Sequence, residues 1–75
     1  MNGPLSMWTV FRVPVASLGT RFLARRFEIQ EDGAKPTNET VTGATLGDVR
    51  RQLPFGLVML ARAPEDQPSV VESWV

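Results

Sequence analysis

The chain is predicted to fold as α+β: a small antiparallel sheet of four strands, five if residues 39–42 also pair, with one short helix on one face. Three observations predict this. Residues 7–13, 21–30, 57–61 and 70–75 are rich in the β-branched, aromatic and aliphatic side chains that strands favour. A single helix start is legible, at Thr45. The chain is 75 residues long, which fits one domain.

Residues 1–6, with Gly3 and Pro4, read as a flexible lead-in, so the domain is expected to span residues 7–75. Met7 to Val13 is the first strand. It is apolar on both faces, with Met7, Phe11 and Val13 on one and Trp8 and Val10 on the other. Pro14 ends it or marks it as an edge. Residues 15–20 connect, with Gly19 at the turn. Residues 21–30 form the second strand of a hairpin. Simple alternation puts Leu23, Phe27 and Ile29 on one face together with Arg25; a bulge at Arg25-Arg26 would instead align Phe22, Ala24, Phe27 and Ile29. Residues 31–38 are polar, hold Gly33 and Pro36, and read as a loop. Residues 39–42 are either a short third strand or the approach to the helix.

Thr45 suits a helix N-cap, since its hydroxyl can accept from the N–H of Asp48 while the Asp48 carboxylate reaches back to Thr45. Leu46, Val49 and Leu53 fall on one stripe, and Arg50 and Arg51 sit at the end where cations are favoured. Pro54 forces Leu53 out of helical geometry. About two turns result, too short to be stable alone, so the helix must dock on the sheet. Residues 57–61 are apolar on both faces, the pattern of a central strand. Residues 62–68 form a long turn, and residues 70–75 the last strand. Ser73-Trp74-Val75 resembles a PDZ-domain ligand, although a strand packed into the core explains the same residues.

Two helical turns cannot cover a whole sheet face. Some apolar surface is left over, and Trp8 and Trp74 are the candidates for it. A chain this short also builds only a modest core. With no cysteine there is no disulfide, and with no histidine either a zinc site is not expected. Dimerisation is the remaining economical way to bury more surface.

The chemistry is narrowed in the same way. Histidine, cysteine and tyrosine are all absent, and Lys35, the single lysine, lies in the polar stretch. The acid pairs Glu31-Asp32 and Glu65-Asp66 sit among turn residues. No glycine motif fits a phosphate or dinucleotide site. An enzyme is not expected, nor a cofactor or metal. Net charge is zero, no apolar run is long enough to cross a membrane, and no secretory signal is legible, so cytoplasm is the default.

Charge is nevertheless ordered in blocks. Residues 1–26 carry +4, residues 27–48 carry −4, residues 49–62 carry +3 and residues 63–75 carry −3. Either these blocks give a two-signed surface or neighbouring strands cancel them as ion pairs. The expected function is a small protein-interaction module, homodimeric, working through a sheet face or edge and an arginine-rich surface, as an inhibitor or adaptor of a larger protein. Its candidate contact residues are Trp8, Arg21, Arg25, Arg26, Arg50, Arg51 and Trp74, since tryptophan and arginine dominate binding hot spots. The alternative is a nucleic-acid-binding accessory protein using the five arginines, against which the lack of basic excess speaks.

Overall fold

The computed structural model describes residues 5–17 and 19–75; residues 1–4 of the expected lead-in and residue 18 of the connector lie outside the described residues. The elements are β1 (Leu5–Val15), β2 (Gly19–Gln30), β3 (Gly33–Gly43), α1 (Leu46–Gln52), β4 (Met59–Ala61) and β5 (Val70–Trp74). All five strands form one sheet in the order β3-β2-β1-β5-β4, and every neighbouring pair is antiparallel. The α+β class with one short helix therefore stands, with the fifth strand present. β1 begins at Leu5, opposite Ile29, so Leu5 and Ser6 belong to the sheet rather than to a lead-in.

The first hairpin sets Val15 opposite Gly19, whose φ of 74° is left-handed and suits glycine. The second hairpin corrects the sequence reading. Residues 31–38 are not one loop: the turn is confined to Glu31 and Asp32, Gln30 faces Gly33, and β3 starts there. The stretch is polar because β3 is an exposed edge strand, where Pro36 is tolerated as well. The sheet is irregular beside Arg26, since Arg25 lies opposite Thr40 and Phe27 opposite Pro36. The extra residues belong to β3. The β1–β2 register is unbroken, so Leu23, Arg25, Phe27 and Ile29 share one face, as simple alternation requires.

α1 forms for the local reasons in its sequence. Thr45 Oγ1 accepts from the Asp48 N–H at 3.1 Å, and the Thr45 N–H donates to Asp48 Oδ2 at 3.3 Å, completing the capping box. Leu53 ends the helix in extended geometry, φ −75° and ψ 154°, as Pro54 demands. Gly43 lets the helix come close: a Cβ there would lie 2.7 Å from Cβ of Asp48.

Residues 57–61 also depart from expectation. Only Met59–Ala61 is strand, and it is an exposed edge rather than a central strand. An apolar pattern on both faces says that a strand lacks a polar side; it does not say which neighbours it has. β5 takes the inner place between β1 and β4.

The core is small. Trp8, Val10, Ala24 and Val49 form its buried cluster, with Phe22, Val41, Leu46, Leu53, Leu57 and Trp74 among the half-buried side chains around it. It lies between α1 and one face of the sheet.

Candidate functional site

Alternation along the strands fixes what each face carries. Trp8 and Val10, with Ala24 opposite Val10, point to the helix side. Met7, Thr9, Phe11 and Val13 therefore point to the other side, opposite Phe27, Arg25, Leu23 and Arg21 respectively. Ser73 continues that side beyond Thr9, and Leu60 continues it beyond Ser73. Val58 and Val75 join it at the corner, each donating its N–H to the other's carbonyl oxygen at 2.8 and 3.0 Å. Among the described residues α1 is the only helix, and it packs on the opposite face. The result is a sheet with one covered and one uncovered face. The uncovered one is predominantly apolar: Leu60 is 46 % and Val58 63 % exposed, Met7, Phe11, Leu23 and Phe27 are half-buried, and Thr9, with Val70 opposite Phe11, is buried within the chain itself.

The tryptophans are not on it. Trp8 is only 7 % exposed and sits in the core, which corrects the expectation that it lies on leftover surface. Trp74, its cross-strand neighbour, is half-buried on the same helix side. The physical reason is parity: Trp8 shares its face with Val10, and that face meets Val49. Sequence alternation showed two apolar faces on β1 without showing which one the helix takes.

The five arginines do not make one surface. Arg26 projects to the helix side, where it pairs with Glu39, lies 3.5 Å from Glu28 and donates to Ser6 Oγ at 3.0 Å. Glu39 above all holds the Arg26 guanidinium in its charged form, pushing its pKa up. Arg51 pairs with Asp48 within the helix. Arg50 grips Glu72 with two bonds, Nε to Oε2 at 2.9 Å and Nη2 to Oε1 at 2.6 Å. Arg21 and Arg25 alone lie on the uncovered face. Arg25 Nη1 donates to the Thr37 carbonyl oxygen at 3.3 Å. Among the described residues, neither has a carboxylate within ion-pair distance.

Glu72 was not singled out from the sequence. Its side chain is 4 % exposed, on the helix side beside Val10. It accepts both Arg50 bonds and a third from Trp74 Nε1 at 2.6 Å. Arg50 chiefly, with Trp74 adding, holds this carboxyl below the usual value, against the opposing effect of burial. The signal was available: Glu72 alternates in phase with Trp74, and an acid on an apolar face calls for a cation from an adjacent element. Here it ties the helix to β5.

A cleft of about 370 Å³ opens between the end of α1 and β5, with Arg50, Arg51, Phe55 and Trp74 in its walls. Phe55 is fully exposed at its rim. Both arginines are already engaged, by Glu72 and by Asp48. Among the described residues no group of three or more acidic, histidine or cysteine side chains could hold a metal ion, and no helix is long and apolar enough to cross a membrane. Ser73 and Trp74 are laddered on both sides, to β1 and β4, unlike a free terminal peptide.

The fold is that of a small α+β protein, a five-stranded antiparallel sheet with one short helix on one face. No protein-family model, curated protein or solved structure matches the chain.

Proposed function

We propose that the chain is a small non-enzymatic protein-interaction module, homodimeric, whose uncovered sheet face receives a partner protein bearing apolar side chains beside carboxylates. One observation carries this: a five-stranded sheet keeps Met7, Phe11, Leu23, Phe27 and Leu60 on a face that, among the described residues, no helix covers. Strands of these lengths, ~4.8 Å apart and rising ~3.3 Å per residue, give one face on the order of 700 Å². A specific interface occupies about 800 Å² per partner, so this face alone nearly suffices.

The charge on the face selects the partner. Of the five candidate arginines it carries Arg21 and Arg25, its laddered residues include no acid, and among the described residues neither arginine has a carboxylate within ion-pair reach. An apolar surface with carboxylates at matching positions gains both burial and bidentate contacts. A second copy laid face to face would instead set arginines against a surface without acids. With Arg26, Arg50 and Arg51 already held by carboxylates, a nucleic acid finds less to bind than such a protein does.

Affinity capture from the source cells tests this. Wild type should retain a stoichiometric partner, Phe27→Asp should lose it, and the Arg21→Glu/Arg25→Glu variant should hold it more weakly and with less salt dependence. Charge reversal at Arg26, on the other side, should leave capture unchanged. Equal capture by wild type, Phe27→Asp and Arg21→Glu/Arg25→Glu would dismiss the face as the working surface.

A further inference from the structure

We infer that the two copies of the proposed homodimer join through β4, edge to edge about a two-fold axis at Leu60, making one continuous ten-stranded sheet. This rests on the homodimer reading above and names its surface. The first argument is the contrast between the two edges. β3 is guarded as natural edge strands are: it carries Pro36, the exposed charges of Lys35 and Glu39, and the irregularity beside Arg26. β4 has none of these. It reads Met59-Leu60-Ala61, without charge, proline or bulge, and all three residues are exposed.

The second argument is self-complementarity. Val58 and Val75 exchange both backbone bonds. The alternation of an antiparallel ladder then turns the N–H and C=O of Met59 and Ala61 away from β5, toward the open edge. A two-fold axis at Leu60 sets Met59 of each copy against Ala61 of the other. All four outward donors and acceptors of one copy meet those of its mate. Leu60 meets Leu60 at a non-hydrogen-bonded position, where side chains approach most closely. The next pair outward is Val58 with Arg62, so no like charges oppose one another. Val58, Met59, Leu60 and Val75 are half of the large apolar side chains exposed among the described residues; the first three lie along this edge, and Val75, which follows β5, pairs with Val58 from the inner side. The uncovered faces stay free and become one longer surface.

The absence of cysteine makes the test direct. Sedimentation of wild type from micromolar to millimolar concentration should show the mass rising from 8.3 kDa toward twice that. A Leu60→Cys variant should cross-link to a covalent dimer under oxidised glutathione, because the paired Cα atoms lie within disulfide reach at about 4.5 Å. A Lys35→Cys variant, on the guarded edge, should not. Met59→Pro removes an outward N–H that the fold does not use, so it should abolish the dimer while the circular dichroism spectrum is kept. Should that variant unfold, the cross-linking comparison decides alone. Wild type that stays monomeric to millimolar concentration would overturn the homodimer and this edge together. A dimer that survives Met59→Pro, or that cross-links at residue 35 as readily as at 60, would keep the homodimer and overturn the edge.

Discussion

Arg50 and Glu72 meet in a two-bond ion pair, at 2.9 and 2.6 Å, that fastens the only helix among the described residues to an inner strand of the sheet. The two partners are unequally buried: Glu72 is 4 % exposed and Arg50 43 %. Loss of Arg50 therefore strands a carboxylate in the core, whereas loss of the charge on Glu72 leaves a guanidinium that water can reach.

This asymmetry predicts an order of stabilities. Breaking a buried pair from one side costs roughly 3–5 kcal/mol, and solvent near Arg50 lowers that. Arg50→Met should lose about 2–3 kcal/mol and Glu72→Gln about 1 kcal/mol, since glutamine still accepts from Trp74 Nε1. The double variant should be more stable than Arg50→Met alone, because the orphaned charge is gone. Urea unfolding with unchanged m-values would measure all three. A double variant less stable than Arg50→Met would refute this account of the pair.

The same contact predicts a pH dependence. Arg50, and after it Trp74, hold the folded Glu72 carboxyl below its ordinary value of 4.5. A depressed carboxyl contributes stability that is complete above the unfolded value and is lost as pH falls through the folded one. The stability difference between wild type and Glu72→Gln should be constant from pH 7 down to about 5 and shrink below 4.5, as protonation removes the charge that the variant already lacks. Urea midpoints of the two proteins at pH 7, 5, 4 and 3 check this. A difference that grew toward acid pH would contradict it.

Local chemistry was readable in the sequence and neighbourhood was not. Thr45, Asp48 and Pro54 fix both ends of α1 through contacts within a few residues, so the helix could be placed without knowing the fold. Gly19 marked its turn for the same reason. Residues 39–42 of β3 were legible as a candidate strand, but its first half was hidden because an exposed edge strand has no apolar period to display, and its Pro36 looks like a loop residue until the edge is known. The apolar pattern of residues 57–61 was legible, but its place at the edge depends on β5 returning to pair with β1. The arginines show the same limit. Blocks of charge along the chain say nothing of partners such as Glu72, 22 positions from Arg50. The leftover apolar surface followed from one undersized helix; which side chains bear it followed only from which parity of β1 meets Val49.

That last distinction predicts a sharp contrast between the two faces. Val10 is fully buried between α1 and the sheet, while Ile29 stands 37 % exposed on the uncovered side. Val10→Ala removes two methyl carbons from a core of few members and leaves a cavity, so about 2 kcal/mol should be lost. Ile29→Thr keeps the β-branched shape a strand favours and exposes its hydroxyl to water, so stability should change by about 0.5 kcal/mol or less. Where the uncovered face is the working surface, Ile29→Thr should weaken partner capture although the fold is intact, and Val10→Ala should leave capture unchanged under conditions where it remains folded. Thermal unfolding beside capture separates the two effects. A loss of stability at Ile29 as large as at Val10 would mean that the isolated chain itself depends on burying this face, and the surface assigned to the partner would belong to the fold instead.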